Sequence, residues 1–163
     1  MPIVTTIEGR IAQVAIDRPE KRNTLSSELC KDLAREFLEL NDDTRVRSIV
    51  LCGHNNVFCA GLDIEEQLAE NTPIFNEFQK VIDALDALSK PVVAAVSGPA
   101  VSQGAAMLYH CDLVFAGEHA LFSMPGLALG QTPRYGVSLL AVKSGGYKLA
   151  AQKILLSQPI SAA

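Results

Sequence analysis

The segment 90–112 constrains the fold most, because it joins a buried strand, a tight turn and a buried helix. Its sequence is KPVVAAVSGPAVSQGAAMLYHCD. The apolar, β-branched run Val92–Val96 predicts a fully buried strand. Ser97-Gly98-Pro99 cannot extend that strand, so the chain must turn there. The small and straight-chain apolar residues over 103–110 then predict a buried helix.

The turn between this strand and this helix is suited to binding an anion. The first N–H groups of a helix lack intrahelical partners, and the positive end of the helix dipole lies beside them. The small residues Gly98, Ala100 and Ser102 let a ligand approach the backbone closely. Two interpretations stay open from this stretch alone: a main-chain oxyanion site, or a tightly packed strand–helix turn of an ordinary α/β core.

A second turn of the same kind lies within 54–67. Residues 57–59 predict a strand, Ala60-Gly61 predicts the turn, and Asp63 is the predicted N-cap of a short helix that begins at Ile64. Two such turns can present two converging backbone N–H groups. That pair is the minimum for an oxyanion hole.

The rest of the chain alternates short strands with helices, which predicts a single α/β domain over 1–163. Ser26 is the predicted N-cap of a helix whose apolar stripe includes Leu29, Leu33, Phe37 and Leu40. The other predicted elements are a hairpin of 3–7 and 11–16, strands over 49–52, 113–116 and 120–123, and helices over 74–88, 136–143 and 147–156.

Composition excludes several function classes. A net charge of −4 argues against nucleic acid as the main partner. No apolar run approaches the ~20 residues of a membrane span, and the first residues lack the pattern of a signal peptide. The four cysteines, Cys30, Cys52, Cys59 and Cys111, show no metal-site spacing and are predicted to be buried, reduced thiols. We therefore expect a cytoplasmic protein with no metal.

Four motifs, in their order and separations, resemble the crotonase family of enoyl-CoA hydratases and isomerases. They are IDRPEKRN at 16–23, FCAGLDI at 58–64, KPVVAAVSGPA at 90–100 and CDLV at 111–114. The resemblance implies an α/β spiral of ββα turns and an acyl thioester carried on coenzyme A, with no further cofactor. It also implies a homotrimer or hexamer, and C-terminal helices past Ile160 that this sequence lacks.

The resemblance also implies particular site residues. The two oxyanion-hole N–H groups belong by motif position to Leu62, just after Ala60-Gly61, and to Gln103. Independently of the resemblance, the positively charged loop 17–23 offers Arg18, Lys21 and Arg22 as candidates to receive a phosphate, although a solvated loop explains them equally well. The expected substrate-binding residues are Lys21, Arg22, Ala60, Leu62, Asp63, Ile64, Gly98 and Gln103.

The sequence departs from the family at the usual acids. Two hydratase glutamates fall at Ala106 and Gly126. The loop GQTP at 130–133 is similar to that of delta-3,delta-2-enoyl-CoA isomerases, whose acid falls at Arg134, and a guanidinium cannot act as a base. Other candidate bases are Asp63, Glu65, Glu66 and Tyr135, for which helix capping, solvation and core packing are competing roles.

Three further hypotheses remain open. The chain is a catalytically impaired acyl-CoA-binding or assembly subunit, or Arg134 marks a substrate that bears a carboxylate. Alternatively, residues 100–105 resemble the nucleophile turn of Clp-type serine proteases, with Ser102 as the nucleophile. A serine nucleophile needs a base within hydrogen-bond reach, and 121–126 contains no histidine. His110 is predicted to be a packed core residue.

Overall fold

The computed structural model describes residues 2–162, and the chain there alternates strands and helices. The strands are β1 (Ile3–Glu8), β2 (Ile11–Ile16), β3 (Ser48–Gly53), β4 (Val92–Val96), β5 (Ala100–Val101), β6 (Leu113–Ala116), β7 (Leu121–Ser123) and β8 (Ile160–Ser161). The α-helices are α1 (Ser27–Asp42), α2 (Ile64–Gln67), α3 (Ile74–Asp86), α4 (Gln103–Leu108), α5 (Val137–Gly145) and α6 (Tyr147–Leu155). Short 3-10 turns occupy Pro19–Lys21 and Leu127–Leu129.

The strands form two sheets. The larger sheet has the order β1-β2-β3-β4-β6, in which β1 and β2 are the predicted antiparallel hairpin and all other pairs are parallel. The smaller sheet has the order β5-β7-β8. Strands β4 and β6 belong to the larger sheet, and each is followed by a strand of the smaller sheet and then by a helix. This repetition is the predicted spiral of ββα turns, and it confirms the fold class.

Helices α1 and α3 pack together against the larger sheet, where the core lies. The predicted apolar stripe of α1 is buried, with Leu33 and Phe37 at 0% exposure. Ser26 caps α1 as predicted, because its side chain accepts a hydrogen bond from the Leu29 N–H. Within residues 2–162, no helix is both long and apolar enough to cross a bilayer.

The predicted strand over 57–59 is wrong. This segment makes a single parallel bridge, between Cys59 and Ala100, and Phe58 N–H and Cys59 N–H both donate to the same Pro99 carbonyl. The Val57 carbonyl accepts from the side chain of Asn23 at 2.7 Å instead of from a neighbouring strand. A distant side chain thus replaces the ladder hydrogen bond that a strand would have used.

Sequence periodicity also missed two short strands, β5 and β8. Both have two residues, too few for an alternating pattern, and both are specified by their partners. β5 pairs in parallel with β7, and β8 pairs with β7 in antiparallel fashion. Helices α3 and α4 each end two residues before their predicted ends at 88 and 110.

Candidate functional site

The site is built where two bends of the chain run side by side. The first bend comprises residues 59–63 and the second bend comprises residues 100–104. Cys59 pairs in parallel with Ala100, and the Val101 N–H donates to the Cys59 carbonyl at 2.9 Å. The same number of residues separates Leu62 from Gln103 as separates Cys59 from Ala100. Leu62 therefore occupies the position in the first bend that Gln103 occupies in the second bend.

Glycine makes this close approach possible at two positions. A Cβ on Gly104 would lie 2.2 Å from the Cys59 carbonyl oxygen, so no larger residue fits without moving the backbone. Gly61 has a positive φ of 99°, and a Cβ there would lie 3.2 Å from the Ser102 Cβ and 3.3 Å from Gln103 Oε1. The backbone of the first bend thus lies directly against Ser102 and Gln103.

Ser102 adopts a backbone conformation that favours glycine. Its φ is 55° and its ψ is −116°, immediately before α4 begins at Gln103. The Ser102 N–H donates to the Ser123 carbonyl at 2.8 Å, and its Oγ donates to Gln103 Oε1 at 2.7 Å. These contacts hold the strained turn in place and orient the buried Gln103 side chain.

The Leu62 and Gln103 N–H groups are available as donors. Across residues 2–162, neither of them donates a hydrogen bond to another group of the chain. Their flanking groups are paired: the Leu25 N–H donates to the Gly61 carbonyl, and the Asp63 N–H donates to the Leu25 carbonyl. These hydrogen bonds therefore fix the first bend on both sides of Leu62, whose own N–H group is unpaired.

A small cleft, with a cavity volume of about 60 Å³, opens beside the second bend. It is lined by Phe75, Ser102, Gln103, Ala106, Met124, Gly126, Gln131, Thr132, Pro133, Arg134, Tyr135, Val137 and Ile154. The three positions to which the resemblance assigns acids, Ala106, Gly126 and Arg134, all lie in this lining. No carboxylate is present among these described lining residues.

The candidate bases Asp63, Glu65 and Glu66 are engaged elsewhere and do not line the cleft. Asp63 is 5% exposed, caps α2 as predicted and lies 3.0 Å from Arg18 Nη1. Glu65 pairs with Lys21 Nζ at 2.8 Å. Glu66 accepts hydrogen bonds from the backbone N–H and the hydroxyl of Ser27.

Tyr135 is the one candidate base that the structure brings into the cleft. Its hydroxyl donates to the Phe75 carbonyl at 3.4 Å, and its ring packs edge-on against Phe78. Burial raises the pKa of Tyr135 to about 12, and the neighbouring Arg134 only partly opposes this shift. A phenol with such a pKa stays protonated near neutral pH, so it can donate a proton but is poorly suited to remove one.

The expected substrate-binding residues occupy different surroundings. Ala60 lies in the first bend, whereas Ile64 is 67% exposed on α2. Lys21 and Arg22 lie on the positively charged loop, where Lys21 Nζ is already paired with Glu65. Gly98 is buried, and a Cβ there would lie 1.8 Å from the Asn56 carbonyl oxygen. Close packing against that backbone is enough to require glycine at position 98.

Sequence reasoning missed the contribution of Asn23. The side chain is fully buried, donates to the carbonyls of His54 and Val57, and accepts from the Arg18 N–H at 2.8 Å. It thereby ties the positively charged loop to the segment that enters the first bend. The one sequence signal was its place at the end of IDRPEKRN, which carries no information about a distant partner.

His110 connects helix α3 with the loop that lines the cleft. Its side chain is 6% exposed, which agrees with the predicted packed position. Nδ1 lies 2.8 Å from Asp86 Oδ1 and Nε2 lies 2.9 Å from the Tyr135 carbonyl oxygen. Asp86 ends α3 and Tyr135 follows Arg134, so His110 links the end of α3 to the loop that lines the cleft.

The α/β spiral with two adjacent bends and a cleft is an architecture that known proteins share. Comparison with their sequences and structures identifies the class. Residues 6–163 match the enoyl-CoA hydratase/isomerase family. The chain belongs to this family, also called the crotonase family.

Individual relatives agree with this assignment. The short-chain-enoyl-CoA hydratase of Clostridium acetobutylicum is 34% identical over 98% of this chain and 63% of its own length. The 2,3-dehydroadipyl-CoA hydratase of Escherichia coli is 31% identical over 98% of this chain and 64% of its own. An enoyl-CoA hydratase/isomerase structure from Pseudoalteromonas atlantica superposes with a TM-score of 0.92 at 31% identity, covering 99% of this chain and 64% of that one. The chain thus spans less than two thirds of these relatives.

Proposed function

We propose that this chain binds an acyl-CoA thioester and polarises its carbonyl with the backbone N–H groups of Leu62 and Gln103. The parallel register between the two bends carries the proposal, since it sets the bend with the unpaired Leu62 N–H side by side with the bend of Gln103, a residue that has an unpaired N–H and lines the cleft. Hydrogen bonds from such amides stabilise the negative charge that develops when a thioester becomes an enolate. Removal of one donor of this kind typically costs ~10²–10³ in rate.

The cleft favours binding over rapid proton transfer. Hydration and isomerisation both require a group that moves a proton between water or carbon and the substrate. The described lining residues include no carboxylate, and Tyr135 has a raised pKa. The alternative that this observation favours is a catalytically impaired acyl-CoA-binding or assembly subunit. We therefore expect slow or absent turnover of ordinary enoyl-CoA thioesters.

A conjugated dienoyl-CoA tests the polarisation directly, because polarising its carbonyl shifts its ultraviolet absorption to longer wavelength. We expect 2,4-hexadienoyl-CoA to bind in calorimetry and to show this red shift when bound. Binding without a red shift would refute carbonyl polarisation, and no binding would refute the acyl-CoA assignment. Assays with a 2-enoyl-CoA and a 3-enoyl-CoA then separate the enzyme from the binding subunit.

The assignment of the chain to the isomerase branch of the family rests on the loop at 130–133. Its similarity to delta-3,delta-2-enoyl-CoA isomerases favours isomerase chemistry of fatty acid metabolism over the hydratase (lyase) reaction. The two activities are distinguished by whether a 3-enoyl-CoA or a 2-enoyl-CoA is consumed. Because Arg134 stands at the usual acid position, we expect neither reaction to reach an ordinary enzymatic rate.

A homotrimer or hexamer is part of the proposal. Exposed apolar side chains on β6 support it, with Leu113 at 56% and Phe115 at 65% exposure. Helix α6 adds Tyr147 at 72%. Apolar surface of this kind favours burial against another subunit. Light scattering after gel filtration would measure the mass, and a monomer at micromolar concentration would contradict this part.

A serine hydrolase is the second candidate, favoured by the strained backbone of Ser102. Nucleophile turns hold a serine in such a conformation. The Ser102 hydroxyl, however, donates to an amide oxygen of Gln103, which is not a base. The described cleft lining also contains no histidine. Thioester or peptide hydrolysis that is lost in Ser102→Ala would establish this alternative.

A further inference from the structure

Arg134 brings a positive charge to the lining of the cleft. It is the one charged side chain among the described residues that line the cleft, and its polar neighbours there include the neutral residues Ser102, Gln131 and Thr132. At the two usual acid positions in the same lining stand Ala106 and Gly126, neither of which carries charge. The described lining thus carries one positive charge and no negative charge.

The Arg134 guanidinium is positioned by its surroundings. Its central carbon lies 4.7 Å from the centroid of the Phe75 ring, which is a cation–π arrangement that limits the orientations of the guanidinium plane. The next residue, Tyr135, is held by Phe78, by the Phe75 carbonyl and by His110. The loop that presents the guanidinium is therefore attached at three points.

The charge of Arg134 has no acidic partner within residues 2–162. The arginines that form ion pairs in that part of the chain are Arg18, Arg35 and Arg45. The guanidinium is exposed to solvent and also hydrogen-bonds the side chain of Tyr135, so its remaining N–H groups are open to a ligand. Its fork geometry suits a carboxylate, which it can bind with two parallel hydrogen bonds.

We propose that Arg134 binds a carboxylate on the acyl group, so that the cleft selects acyl-CoA thioesters whose acyl chain carries a second, free carboxyl group. This inference rests on the proposed function, because it assumes that an acyl-CoA occupies the cleft. Arg134 is then a specificity-determining residue at a position where the family usually places an acid.

The coenzyme A phosphates are a second possible source of negative charge. They are present in every acyl-CoA, whereas the carboxylate is present only in some. A comparison of thioesters that differ only in the terminal group therefore separates the two sources. Suitable pairs are succinyl-CoA with butyryl-CoA, glutaryl-CoA with valeryl-CoA, and adipyl-CoA with hexanoyl-CoA.

The experiment measures the dissociation constants of these pairs by calorimetry for the whole chain and for Arg134→Gln. A hydrogen-bonded ion pair in a partly exposed cleft is expected to favour at least one carboxylated thioester roughly tenfold over its neutral partner. In Arg134→Gln that preference should disappear, and the affinity for the neutral thioester should stay unchanged. Arg47→Gln removes the same charge at an exposed position outside the cleft and should keep the preference.

Three results would overturn the inference. Equal affinity for both members of every pair would show that no carboxylate is recognised, while binding itself would leave the proposed function intact. Equal weakening of both members in Arg134→Gln would assign the guanidinium to the phosphates. Loss of the preference in Arg47→Gln would show that the preference depends on the overall charge of the protein and not on a contact with Arg134. Failure of every thioester to bind would instead refute the proposed function.

Discussion

Replacing Ser102 by glycine and by alanine tests the strained turn on which the second bend depends. Both substitutions remove the hydrogen bond from Ser102 Oγ to Gln103 Oε1, so its contribution cancels when the two variants are compared. They differ in the backbone, because φ of 55° with ψ of −116° is open to glycine but strained for alanine.

The magnitudes of the two opposing effects set the expected sign. Strain of this kind costs of order 1–3 kcal/mol. Glycine loses about 0.4–1 kcal/mol more than alanine through the greater freedom of the unfolded chain. We therefore expect Ser102→Gly to be more stable than Ser102→Ala by roughly 0.5–2 kcal/mol, which reverses the ordinary order.

Urea unfolding measures this difference, provided that the two variants share the same m-value. Ser144 supplies a matched control, since it lies in the last turn of helix α5, is exposed and donates its hydroxyl to the Leu140 carbonyl. There Ser144→Ala should be more stable than Ser144→Gly by up to about 1 kcal/mol. If the pair at 102 follows the same order as the pair at 144, the strained conformation of Ser102 is refuted.

Three further perturbations test the surroundings of the bends. Gly104→Ala would place a methyl group 2.2 Å from the Cys59 carbonyl oxygen. It should lower the free energy of unfolding by at least about 1–3 kcal/mol and abolish acyl-CoA binding in calorimetry, whereas Gly117→Ala, with its nearest neighbours at 3.7 Å, should be nearly neutral. Asp63→Asn should cost about 1–3 kcal/mol in urea unfolding, because it leaves the guanidinium of Arg18 without its buried carboxylate; an unchanged midpoint would contradict that pairing. Burial raises the pKa of Cys59 from 9.0 to about 12, so above pH 9 the thiol ionises in the unfolded chain only, and stability should fall by up to ~1.4 kcal/mol per pH unit. The same urea series in Cys59→Ala should fall less steeply with pH; an equal slope would refute the shift.

Local pattern was sufficient for most elements of the fold. The strand Val92–Val96 has the predicted bounds, because an apolar β-branched run ends at residues that cannot continue it. Ser26 and Asp63 cap their helices as predicted, since a cap is a contact between residues only a few positions apart. The prediction over 57–59 failed, because Asn23 takes the Val57 carbonyl. A partner so distant in sequence leaves no trace in local periodicity.

The chemical character of the site follows from the sequence alone. Ala106 and Gly126 carry no ionisable side chain and the guanidinium of Arg134 stays protonated, so none of the three acts as a general acid or base in any fold. The motifs also placed Leu62 and Gln103 as the candidate donors, which stays a prediction until polarisation of a bound carbonyl is measured.

The tertiary structure decided which of these residues are neighbours. Only pairing between distant segments aligns the bend that contains Leu62 with the bend that contains Gln103. Packing against Phe75 positions the Arg134 guanidinium at the cleft, and the hydrogen bond from the Ser102 N–H to the Ser123 carbonyl fastens the turn in which Ser102 has a positive φ. The physical reason is that residue types and short-range spacing determine helices, turns and available chemistry. Register, strain and the orientation of a charge depend on contacts between residues far apart in the chain.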